Sequence, residues 1–169
     1  MGTVKLRKKN IDALELLVEQ HDKVEQLIEQ VSNESLIERK QFLFDELAAT
    51  ITAHATMEEK LFYPTVRAEQ TQEILLETEH AEIKRAIADL AATDVDDDRF
   101  DAKLSVLAEE LEHHAREEEE QILFPKLRQL MSAEQLTVLG SEMLALFERL
   151  MSTPRRLQRS SEPRRDVSV

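Results

Sequence analysis

Two stretches of this chain are versions of one another: His54-Ala-Thr-Met-Glu58-Glu59-Lys-Leu-Phe-Tyr-Pro64 and His114-Ala-Arg-Glu-Glu118-Glu119-Glu-Gln-Ile-Leu-Phe-Pro125. In each, a histidine and a glutamate stand four positions apart. On a helix that spacing returns to the same face, with the two side chains roughly 5–6 Å apart. The pattern therefore asks for helices, and each copy offers an imidazole nitrogen and a carboxylate oxygen to one point in space. The echo extends upstream, because His21 precedes His54 by 33 positions and His80 precedes His114 by 34. Four of the five histidines obey one pattern, a histidine followed by a His-x-x-x-Glu motif, used twice.

Composition agrees with a helical chain. Only two glycines and four prolines interrupt 169 residues rich in Leu, Glu, Ala, Lys, Arg and Gln, the good helix formers. Short strands would need more breakers than this. With no cysteine, disulfides, thiolate ligands and iron–sulfur clusters are excluded, so any metal must be held by nitrogen and oxygen. Residues 1–150 hold 33 acidic against 17 basic side chains, and a surface of that sign repels phosphate backbones. No nucleic-acid partner is expected. The first ten residues are followed by no apolar run long enough for a secretory signal or a membrane span, which makes the cytoplasm the expected compartment.

Five segments read as helices. The first covers about Asn10 to Val31, with Leu14, Leu17, Val24, Leu27, Ile28 and Val31 at helical spacing and His21 close to that stripe. Ser35-Leu-Ile-Glu38 reads as a capping box opening the second, which continues through His54 to about Arg67. A third runs from Thr71 to Ala92 and carries His80. The acidic break 93–98 ends it and can cap a fourth, which passes through His114 to about Leu130. Ser132-Ala-Glu-Gln135 repeats the capping-box signal for a shorter fifth helix ending near Leu150. Residues 1–151 are thus expected to form one helical domain, and residues 152–169 a disordered arginine-rich tail, of a kind that can dock on an acidic partner.

Four long helices with short connections favour an all-α, antiparallel up-down-up-down four-helix bundle with a short extra C-terminal helix, a scaffold that builds metal sites from facing helices. One count resists. His21 lies about 12 residues before the first turn and His54 about 20 after it, a mismatch of roughly 12 Å at about 1.5 Å per residue. A tight symmetric hairpin is therefore not expected there, and the pair His80 and His114 shows nearly the same offset. His113, rotated about 100° from His114 on a helix, is expected at the surface or behind the ligands.

These features resemble the hemerythrin-like family of HHE cation-binding domains. The resemblance rests on His21, on His54 and Glu58 followed by Phe-Tyr-Pro64, on Glu79-His80, and on His114 and Glu118 followed by Phe-Pro125, and it spans about residues 10 to 130. It implies a bundle holding two iron ions in an oxo- or hydroxo-bridged pair, with His21, His54, His80 and His114 as terminal ligands and Glu58 and Glu118 as bridges. Imidazole and carboxylate together also suit manganese or zinc, both expected less than iron, and two metals sharing two carboxylates suggest a redox pair over a structural zinc. One residue is inserted between His114 and Pro125 relative to the first copy. Counting back six from the proline gives Glu119 instead, but i+4 on a regular helix favours Glu118 unless a π-bulge intervenes.

A departure bears on function. Oxygen-carrying hemerythrins have a further histidine one turn before the position of His80, where this chain has Leu76 and Glu77. The vacancy is left to Glu77, Glu79 or solvent. Loss of a nitrogen ligand shifts the expectation from reversible oxygen carriage toward a di-iron protein that reacts with or senses oxygen, peroxide or nitric oxide, with catalase- or peroxidase-like turnover as one form. The alternatives are a binding protein that carries or senses oxygen, nitric oxide or iron without turnover, and a metal-stabilised interaction bundle.

Overall fold

The structure is a computed structural model that describes residues 10–68 and 73–153, apart from the side chains of 68 and 73–78. The expected tail lies outside the described residues from 154 onward. Among the described residues every regular element is helical: α1 (Ala13–Asn33), α2 (Ile37–Met57), a π-helical stretch (Glu58–Phe62) running into α3 (Tyr63–Ala68), α4 (Glu73–Ala91), α5 (Asp98–Glu112), a second π-helical stretch (His113–Leu123) running into α6 (Phe124–Leu130), and α7 (Ala133–Ser152). The π stretches do not break their helices, so five helical rods result. No helix among the described residues is long and apolar enough to cross a membrane.

Caps set several boundaries. Asp12 accepts from the Glu15 N–H, Asp97 from the Arg99 N–H, and Ser132 and Gln135 form the reciprocal box expected at the start of α7. The box expected at Ser35 does not form. Leu36 occupies the cap position, and the Glu34 carboxylate accepts from the Ser35 and Leu36 N–H groups instead. Nor is α7 short. It has 20 residues against 21 in α1 and packs on α1 and α2, with Gly140 so close to the backbone of Ile11 to Ala13 that a Cβ there would lie 2.7 Å from the Ala13 nitrogen.

The core divides into two apolar clusters. One gathers Leu14 and Leu17 of α1 with Met57, Phe62, Tyr63, Leu123, Phe124 and the inner face of α7. The other gathers Val24, Leu27 and Val31 of α1 with Phe44, Leu47 and Ile51 of α2, and adds α4 and α5 through Ile83, Ile87, Phe100, Leu104 and Leu107. His21 falls between Leu17 and Val24, His54 between Ile51 and Met57, and His114 between Leu107 and Leu123. The histidines thus form a polar layer between two apolar ones.

This arrangement corrects the expectation about the first turn. Only residues 34–36 separate α1 from α2, yet the His21 and His54 rings are 5.1 Å apart. Measured from the observed helix ends, His21 lies 12 residues before Asn33 and His54 17 after Ile37, leaving about 7.5 Å to absorb. Side chains lean toward the N-terminus of their own helix. In this hairpin His21 leans away from the turn and His54 toward it, which closes the gap. The pair His80 and His114 repeats the geometry across residues 92–97, with ring centroids 4.6 Å apart.

Candidate metal centre

Four histidines and two glutamates converge in the polar layer, all buried: His21, His54, His80, His114, Glu58 and Glu119. Within this layer two groups of donor atoms lie close enough to hold a cation, while a third, Glu79, His113 and Glu118, lies outside it and is partly exposed. Of the two within it, the first is His21, His54, Glu58 and Glu119, and the second is Glu58, His80 and His114. Glu58 splits between them, with Oε1 3.2 Å from His54 Nε2 and Oε2 2.9 Å from His80 Nε2. Glu119 belongs to the first group, with Oε2 3.2 Å from His21 Nε2, and its Oε1 reaches toward the second, 3.7 Å from His114 Nε2. Each carboxylate therefore presents one oxygen to each pair of imidazoles.

Glu118, the expected second carboxylate, is not brought into this layer. It faces outward, with its Oε1 3.8 Å from His113 Nε2, and Glu119 takes the central place. The cause is local helix geometry. His114 lies inside the second π stretch, where hydrogen bonds span i→i+5 and the fifth residue, not the fourth, returns to the same face. The first π stretch begins only at Glu58, so His54 and Glu58 keep α spacing. His113 is exposed, as expected, and pairs through Nδ1 with Glu117 at 2.8 Å.

Each ligand-type histidine is held from behind. Nδ1 of His21 meets Glu120 at 2.7 Å, that of His54 meets the Gln20 amide oxygen at 2.6 Å, that of His80 meets Glu59 at 3.2 Å, and that of His114 meets Glu79 at 2.7 Å. Carboxylates and amide oxygens only accept here. Nδ1 must therefore carry the proton, which leaves Nε2 as the inward atom, the arrangement usual behind metal-bound imidazoles. Glu120 is itself held by Arg116, which also reaches Asp22 and Glu25. Glu79, one candidate for the vacancy before His80, is thus engaged on the outer nitrogen of His114. The side chains of Leu76 and Glu77 lie outside the described residues.

Tyr63 also reaches the centre. Its hydroxyl lies 3.0 Å from His80 Nε2, 3.0 Å from Glu119 Oε1, and 3.4 Å from both His114 Nε2 and Glu58 Oε2. The sequence carried a signal for it, since Tyr63 stands five residues after Glu58 and across a π turn shares its face. In the second copy the equivalent residue is Phe124, stacked beside His21 with centroids 6.3 Å apart. Only one half of the centre has a phenol.

The electrostatics fit a cation. His21 Nε2, Glu58 Oε1 and Glu119 Oε2 are buried without a hydrogen-bond partner; the His21–Glu119 approach lacks hydrogen-bond alignment despite its length. Three such atoms aimed at one point are costly unless an ion meets them. Burial alone would lower the His21 pKa, but Glu119 and Glu120 outweigh it and raise it from 6.5 to about 9. Burial likewise opposes the rise at His80, which Glu58 and Glu119 bring about. At Glu58 burial works upward, while His54 and His80 hold the carboxyl well below its usual range. Burial and the two central carboxylates push the Tyr63 phenol well above its ordinary value, so it keeps its proton at neutral pH.

Comparison with known proteins places this geometry. The sequence profile of the hemerythrin HHE cation binding domain matches residues 12–127, and the chain belongs to that family. A crystal structure of an HHE cation binding domain-containing protein from Mycobacterium kansasii superposes with a TM-score of 0.73, at 26% identity over 83% of this chain and 88% of the other. A DNA nickase from Nostoc sp. is 29% identical over 142 residues, which are 82% of this chain but 40% of that protein. The chain spans less than half of that relative.

Proposed function

We propose that four of the helices form an antiparallel up-down-up-down bundle around a di-iron centre, and that the centre reacts with oxygen species, peroxide foremost. The observation that carries this is the division of Glu58 and Glu119, each with one oxygen toward His21 and His54 and the other toward His80 and His114. Two shared carboxylates and four imidazoles are a donor set for two metals, and for iron over the harder, oxygen-seeking ions. Bound there, an iron pair supplies redox chemistry toward oxygen, peroxide or nitric oxide.

The chain's own groups divide the remaining work. His21 and His54 would hold one ion, His80 and His114 the other, with Glu58 and Glu119 between them. Glu120, Gln20, Glu59 and Glu79 fix the imidazole rings. The two apolar clusters on either side surround the layer with low-dielectric side chains, which strengthens every charge interaction inside. Tyr63, protonated and within hydrogen-bond reach of the centre, is placed to give a proton to an oxygen at the His80 and His114 end. That asymmetry favours reaction over simple carriage. The net charge of −13 lends no support to the DNA chemistry of the longer Nostoc protein.

The test is metal analysis after anaerobic loading with ferrous iron, followed by peroxide addition with oxygen evolution recorded. About two irons per chain and peroxide consumption are expected. Binding of zinc alone, or of one ion per chain, would sink the di-iron reading.

A further inference from the structure

A cavity of about 400 Å³ opens beside the centre on the side of His21, His54 and His114, and none of the mechanism above uses it. Its inner end is formed by those three buried rings. Its walls are aliphatic, supplied by Val24 and Ile28 of α1, Ile51 of α2, and Ala108 and Leu111 of α5. Its outer rim carries the exposed carboxylates of Glu29 and Glu112, together with Glu25, whose charge is met by Arg116. One water-sized molecule needs about 30 Å³, so oxygen or hydrogen peroxide would leave most of this space empty. A volume near 400 Å³ falls within the roughly 300–1,000 Å³ typical of sites for organic ligands.

We infer that this cavity binds an uncharged aliphatic molecule with an oxygen function at one end, an alkyl hydroperoxide or the corresponding alcohol, and bars anions of the same shape. The inner rings and the metals they would hold attract the oxygen end. The aliphatic walls take the chain, each buried methylene adding about fourfold in affinity. The acidic rim repels carboxylates before they enter. The cavity is lined by both imidazoles of the half without a phenol, His21 and His54, and by His114 of the half that Tyr63 approaches, while Tyr63 itself is not part of its lining. This inference rests on the di-metal reading and narrows its substrate class.

The test is calorimetric titration of the metal-loaded protein with 1-butanol, 1-hexanol, 1-octanol and octanoate, metal content being measured on the same samples. Affinity should rise about fourfold per methylene until the cavity is full, and octanoate should bind at least about tenfold more weakly than 1-octanol, with the gap narrowing in the double variant Glu29→Gln, Glu112→Gln. Ala108→Phe and Ile28→Trp fill the cavity from opposite walls. Either one, folded and still carrying two ions, should lose 1-octanol binding. Affinity independent of chain length, octanoate binding as well as octanol, or wild-type octanol binding in a folded filled variant would overturn the inference. Two ions with no alcohol binding refutes the cavity alone, whereas alcohol binding without a metal pair refutes the reading of the centre.

Discussion

Replacing Glu119 by Gln keeps the size of the side chain and removes the charge that the two imidazole pairs share. In the structure its Oε2 lies 3.2 Å from His21 Nε2 and its Oε1 accepts from the Tyr63 hydroxyl at 3.0 Å, and the residue is fully buried. Removing one partner from a buried charged pair typically costs about 3–5 kcal/mol. Spent on the metal-bound state, that is a loss of roughly two to three and a half orders of magnitude in affinity. Glu118→Gln removes an equal charge one residue away, where the side chain faces outward near His113, and should change affinity and stability by less than about 0.5 kcal/mol. The assay is metal content after anaerobic iron loading and desalting, together with melting of loaded and metal-free samples. Glu119→Gln should come off the column depleted and melt alike with and without iron, while Glu118→Gln keeps two ions. A greater loss in Glu118→Gln would show that the π-helical register assigned to residues 113–123 is wrong.

Three further outcomes follow from particular contacts. Tyr63→Phe should keep two irons, since four imidazoles and two carboxylates remain, but slow peroxide consumption by about 10²-fold or more if the phenol is the proton donor; unchanged turnover removes that role. In the metal-free protein the raised pKa of His21 contributes about 3 kcal/mol that is fully present below pH 6.5 and lost as pH rises through about 9. Metal must displace that proton, so iron affinity should climb at least about tenfold per pH unit over the same window, and a flat competition titration would contradict the charge assignment. Gly140→Ala gains about 1 kcal/mol in helix propensity, yet its Cβ would collide with the backbone at the start of α1. Overpacking of about 1–3 kcal/mol should win, lowering the midpoint of thermal unfolding by a few degrees, and a raised midpoint would show that α7 can shift freely.

How much of this was written in the sequence depends on which contacts are local. The stripe Leu14, Leu17, Val24, Leu27 and Val31, a cap within the acidic break 93–98, the cap at Ser132, and the convergence of His21, His54, His80 and His114 all follow from periodicity and short-range spacing, and each is found in the fold, where the break's capping residue is Asp97. The groups behind the rings were not legible. Gln20, Glu59, Glu79 and Glu120 belong to a chain with dozens of carboxylates and amides, and only the rotation of each helix selects those four. The tight turn at 34–36 was misjudged for a related reason. Counting residues locates Cα atoms along an axis, whereas the meeting of His21 and His54 is decided by the opposed lean of their side chains.

The second central carboxylate shows which ruler to trust when two disagree. From His114 the count gives Glu118, and from Pro125 it gives Glu119. An inserted residue can be absorbed wherever the helix is least constrained, and the constraint here lies downstream: Phe62 and Tyr63 before one proline, and Leu123 and Phe124 before the other, pack into the same apolar cluster with α7. Moving Leu123 and Phe124 by one position would rotate them out of that core, at a cost of about 1.5–3 kcal/mol for each large apolar side chain exposed. A π turn costs the helix only a less favourable hydrogen-bond geometry, so the extra residue is taken up between His114 and Glu119 and the register counted from the proline prevails.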